Sequence, residues 1–74
     1  MTEKETVQKK ILDSLYKTNG SDCFSESKIS NTKMFLQIGK SSVKEFNIGE
    51  DEKVAISDVF TQLIERCNNV QKNT

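Results

Sequence analysis

Near the carboxyl end, the apolar residues Ile56, Val59, Phe60, Leu63, Ile64, Cys67 and Val70 recur at spacings of three and four. At 3.6 residues per turn this spacing lines them along one side of an α-helix, and such a stripe has to lie against another apolar surface. The sequence predicts that helix over residues 57 to 70. Ser57 is its N-cap and Asp58 sits at its positive end. Val54 to Ile56 fits either a short extended piece or the helix's first turn.

Two short alternating runs just upstream offer the surface this stripe requires. In Lys33 to Ile38, Met34, Leu36 and Ile38 alternate; in Val43 to Ile48, Phe46 and Ile48 do the same. Gly39-Lys40-Ser41-Ser42 between them has the length and chemistry of a hairpin turn, and Gly49 closes the second strand. Phe35 then falls on the outer face of the ribbon. Cys23 to Ser27 is read as loop or as an irregular edge strand.

Thr2 to Tyr16 reads as a first helix, with Val7, Ile11, Leu12, Leu15 and Tyr16 on one stripe. Thr2 and Glu5 stand at capping-box spacing, where each side chain satisfies the other residue's backbone amide. Asn19-Gly20 supplies the stop, since both residues tolerate the left-handed conformation that ends helices. The expected fold is α+β, of order αβββα or αββα, with two helices on one face of a small antiparallel sheet. Residues 1–74 are expected to form one domain, with 68–74 as a frayed tail. Its core would combine Leu12, Leu15, Phe60, Leu63 and Ile64 with Met34, Leu36, Ile38, Phe46 and Ile48. A chain of 74 residues buries a thin core, which often borrows surface from a partner or a second copy.

Charge withholds several functions. Eleven basic and eleven acidic residues balance, and there is no histidine. A neutral chain has no general attraction to nucleic acid or to anionic membrane, although lysines crowd the first helix and Glu50-Asp51-Glu52 form an acidic cluster. Cys23 and Cys67 match no metal spacing, and without histidine a Cys/His zinc site within this chain is excluded. No cofactor is expected. No secretory, membrane-spanning or lipidation signal is visible, so the sequence predicts a reducing, cytoplasmic setting without membrane contact.

Candidate chemistry is thin. Gly39-Lys40-Ser41 looks like the end of a phosphate-binding loop, but the required upstream glycine is replaced by Met34. Asp51 and Glu52 are adjacent on a hydrophilic turn and have no partner ligands at calcium-loop spacing. Cys23 lacks a base that would make it a nucleophile. No catalytic, cofactor or metal residue is assigned, and the chain is not expected to be an enzyme.

The order of helix, weak strand, hairpin and helix, with Met34 to Ile48 running through Gly49 into the last helix, resembles the double-stranded RNA-binding domain. That family carries a lysine-rich cluster at the start of its last helix, where this chain has Glu50-Asp51-Glu52-Lys53. Its proline- and histidine-containing strand loop is missing too. The resemblance therefore implies a fold that has lost duplex RNA binding and keeps a protein-docking role.

The resulting expectation is a non-catalytic protein-interaction module, a small subunit or regulator that binds another protein or itself. Phe35, Lys33, Gln37, Glu50, Asp51 and Glu52 are its candidate contact residues. RNA binding through helix and strand lysines is an alternative, as is an acidic inhibitor or nucleic-acid mimic built on Glu50 to Glu52.

Overall fold

The computed structural model describes residues 2–72. Helix α1 spans Glu3–Asn19, α2 spans Ile29–Ser42, and α3 spans Glu50–Lys72; a 3-10 turn, Val43–Glu45, follows α2 directly. Among the described residues there is no strand, so the expected α+β fold gives way to a three-helix arrangement. The hairpin of Lys33 to Ile48 is instead helix α2, its 3-10 turn and a bend. Cys23 to Ser27 is a run of turns.

Helical period explains the change. Ile29, Thr32, Leu36 and Val43 are all buried, at spacings of three, four and seven residues. Those positions share one side of a helix, and Gly39 completes the stripe between them. The apparent alternation of Met34, Leu36 and Ile38 thus splits: Leu36 faces inward, whereas Met34 and Ile38 are exposed, as is Phe46. These three drop out of the expected core. Ile48 is half-buried.

Helix α1 starts as its sequence predicts. The Glu5 amide donates to Thr2 Oγ1 at 3.2 Å, the threonine half of the capping box. The helix runs three residues past Tyr16 and stops at Gly20, whose φ of 92° no L side chain adopts easily and whose amide donates to Tyr16 O. Helix α3 begins seven residues before Ser57. The acidic cluster Glu50-Asp51-Glu52 is therefore its first turn, where three carboxylates meet the positive end of the macrodipole. Val54 to Ile56 is helical, and Ser57 lies in the helix interior. Helix continues through Lys72, so 68–72 of the expected frayed tail are helical; 73 and 74 lie outside the described residues.

Packing centres on α3. At about 1.5 Å per residue, its 23 residues reach about 34 Å, close to the molecule's long dimension of 38 Å. It lies mainly against α2 and also touches α1. Val59, Phe60, Leu63 and Cys67 join Ile29, Leu36 and Val43 in one buried cluster; Val7, Ile11, Leu12, Phe35, Ile56, Ile64 and Val70 pack around it half-buried. The C-terminal stripe is thus real, but its bed is a helix rather than a β-ribbon.

Candidate protein-interaction surface

A helix that buries one side must show its other side to something. On α2 the outward positions include Met34 and Ile38, one helical turn apart and 59% and 62% exposed. Phe46 beyond the 3-10 turn and Val54 in the second turn of α3 are also exposed, at 45% and 59%. Ile38 and Val54 each line an open groove. One, of about 380 Å³, is lined by Gln37, Ile38, Ser41, Ser42, Lys44 and Glu45. The other, of about 400 Å³, is lined by Lys40, Ser41, Lys44, Glu50, Lys53 and Val54 among others. They share Ser41 and Lys44, which form the ridge between them.

The start of α3 is held against the end of α2. Lys53 Nζ donates to Lys44 O at 2.9 Å and lies 3.8 Å from Glu50 Oε1. Lys53 thereby fixes the corner where the second groove lies. Charge is unevenly spread along the chain. Residues 27–44 carry four lysines and no acid, so the rest of the neutral chain holds seven bases and eleven acids. Lys28 is taken up by Asp22 Oδ1 at 2.8 Å and Asn19 O, and Lys33 donates to Gln71 Oε1 at 3.3 Å. Lys40 and Lys44 make no ion pair among the described residues, nor do Asp51 and Glu52.

The sequence-expected contact residues distribute as follows. Gln37 lines the first groove and Glu50 the second; Asp51 and Glu52 are exposed beside Glu50. Lys33 is half-buried near the far end of α3, and Phe35 is half-buried against the core rather than on the outside of a ribbon. Met34, Ile38 and Val54 are absent from that set, since a strand reading assigns Met34 and Ile38 to the core, and Lys40 and Lys44 enter only through the alternative of RNA binding. The acid-free run of residues 27–44 was a signal that could have found them.

The opposite end of the molecule is tied together by side-chain contacts, although Asn19 Nδ2 is buried there without a hydrogen-bond partner among the described residues. Thr32 Oγ1, buried, donates to Cys23 O and ties the turn segment to α2. Arg66 of α3 lies 4.0 Å over the Phe24 ring, a cation–π contact. Both thiols are free and fully buried. Burial pushes the Cys23 thiol up, opposed by the Thr32 hydroxyl and Arg66. Burial and then the neighbouring Cys23 push Cys67 up, opposed by Lys33 and Arg66. Neither has the depressed pKa of a reactive cysteine. Among the described residues no His/Cys/Asp/Glu cluster could hold a metal ion, and no helix is long and apolar enough to cross a membrane. Set against protein-family models, curated proteins and solved structures, the chain matches none of them.

Proposed function

We propose that this chain is a non-catalytic protein-interaction module, a small subunit or regulator that docks through the outer face of α2 and the adjoining start of α3. The observation that carries the reading is the pair Met34 and Ile38. Each is more than half exposed on a helix face that the chain's own core does not use. Apolar side chains grouped beside open grooves are the anatomy of a docking surface, where a few anchors contribute most of the affinity. Gln37 and Ser41 supply hydrogen-bonding groups between the anchors and the lysines.

A photo-crosslinking residue in place of Gln37 tests the reading in the native host. A discrete adduct that disappears when Ile38→Asp is added, and persists with Lys9→Glu on α1, supports it. The same adducts with and without Ile38→Asp, or none at all, overturn it. Lys40 and Lys44, which enter no ion pair among the described residues, favour a second reading, nucleic-acid binding. Filter binding that tightens steeply as salt falls would support that alternative.

A further inference from the structure

We infer that the groove between the end of α2 and the start of α3 receives an acidic, carboxylate-bearing peptide segment of a partner protein, held by Lys40 and Lys44 with an apolar side chain laid against Val54. This inference rests on the docking face described above and gives its partner a chemistry.

The charged side chains lining this groove are three lysines, Lys40, Lys44 and Lys53, and one carboxylate, Glu50. Glu50 and Lys53 offset each other at 3.8 Å, and Lys53 is further engaged by Lys44 O at 2.9 Å. What remains is positive. Lys40 and Lys44, one helical turn apart on α2, enter no ion pair among the described residues, and their ammonium groups donate no hydrogen bond there. The hydroxyls of Ser41 and Ser57, also in the lining, are likewise unengaged. The groove thus presents four side chains with unused donors and no carboxylate that lacks a lysine. Val54, 59% exposed, adds an apolar wall. At about 400 Å³ the space suits a few side chains of a peptide.

Complementarity selects the occupant. A basic segment would set its charge against two uncompensated ammonium groups. A wholly apolar segment would cover them without partners, which costs free energy. Carboxylates about one helical turn apart answer both lysines, and a hydrogen bond between two charged groups is stronger than one between neutral groups. An inorganic anion would answer the lysines but leave Val54 uncovered. A nucleic-acid strand fits less well, because its charge is continuous along the backbone. Here the unspent positive charge ends with α2, and the first turn of α3 carries Asp51 and Glu52, exposed and in no ion pair among the described residues. A peptide places its acids only where the lysines stand.

A phage-displayed library of random dodecapeptides, panned on the immobilised full chain, supplies the probe. The expected pool is enriched several-fold in aspartate and glutamate over the unselected library. Its most enriched peptide, labelled with fluorescein, should bind one-to-one in fluorescence anisotropy. Lys40→Glu with Lys44→Glu should weaken that binding about tenfold or more. Lys9→Glu with Lys10→Glu, on exposed positions of α1, changes the net charge equally and should leave the affinity within about twofold. Circular dichroism checks that each variant keeps its helices; Lys40→Gln with Lys44→Gln serves if the reversal fails to fold. Panning that yields no acidic enrichment overturns the inference, and so does a peptide weakened as much by the α1 pair. A single-stranded oligouridylate that displaces the peptide, and itself depends on Lys40 and Lys44, would assign the groove to nucleic acid and also overturn it. A Gln37 adduct that depends on Ile38, without acidic enrichment in the panning, would refute the acidic chemistry and leave the docking face intact. Absence of that adduct refutes the face itself, so the two failures are distinguishable.

Discussion

Gly39 of α2 lies directly under the ring of Phe60 of α3: a methyl group in place of its hydrogen would stand 2.6 Å from Cε1 and 2.8 Å from Cζ. The two helices come this close because one contributes no side chain where the other contributes its largest. Alanine ordinarily favours a helix interior by up to about 1 kcal/mol over glycine. Here Gly39→Ala should instead destabilise the chain by about 1–3 kcal/mol through overpacking. In a Phe60→Leu background, where the ring is gone, the same change should cost less or become stabilising. Urea denaturation of the four proteins measures the coupling. Additive effects would show that the ring and the glycine do not meet.

Phe60→Ala should unfold the isolated chain or nearly so. Removing a buried phenylalanine costs about 3–5 kcal/mol. That is a large share of the roughly 4–11 kcal/mol expected for 74 residues at 0.05–0.15 kcal/mol per residue. Thermal melting by circular dichroism would show it, and an unchanged midpoint would remove Phe60 from the core.

Thr2→Ala should lower stability by about 1 kcal/mol, since Thr2 Oγ1 takes up the Glu5 amide, one of the helix's unpaired donors. Thr2→Asn should retain most of the wild-type value. Equal melting temperatures for all three proteins would mean that the first turn of α1 frays regardless of its cap.

The two buried thiols make an alkaline prediction. A group whose folded pKa is raised above its unfolded value stabilises fully below the unfolded pKa and loses that contribution as pH rises through the folded one. Cys23 and Cys67 are both raised, chiefly by burial. Their contribution should therefore be complete at neutral pH and fade above about pH 8.5, the usual thiol range. The double variant Cys23→Ala, Cys67→Ala should lose less stability than wild type between pH 8 and 10. Native thiols should also react with an aromatic disulfide reagent far more slowly than those of the urea-unfolded chain. Parallel stability curves, or equally fast native reaction, would contradict the burial.

How much the residues alone could tell varies along the chain. The stripe from Ile56 to Val70 and the stop at Asn19-Gly20 were legible, because each consists of the residue types that its geometry demands. Helix α2 was not. Two of its inward positions are Thr32 and Gly39, which break the apolar count that a periodicity search relies on, and Met34, Leu36 and Ile38 imitate a strand. Thr32 is tolerated inside because its hydroxyl bonds to Cys23 O, and Gly39 because Phe60 fills the space. Both reasons are tertiary and neither can be seen locally. The Glu50 cluster has the composition of a hydrophilic turn; as the first turn of α3 it places Glu50 in the lining of the second groove.

Backbone chemical shifts of residues 33 to 48 are the decisive measurement, because the exposed face of α2 exists only if residues 33 to 42 are helical. Helical Cα and Cβ shifts are expected from residue 33 through Ser42, with sequential amide contacts and a break at Phe46 to Gly49. Extended-strand shifts across 34–38 and 43–48, with cross-strand contacts between Leu36 and Phe46, would contradict that helix.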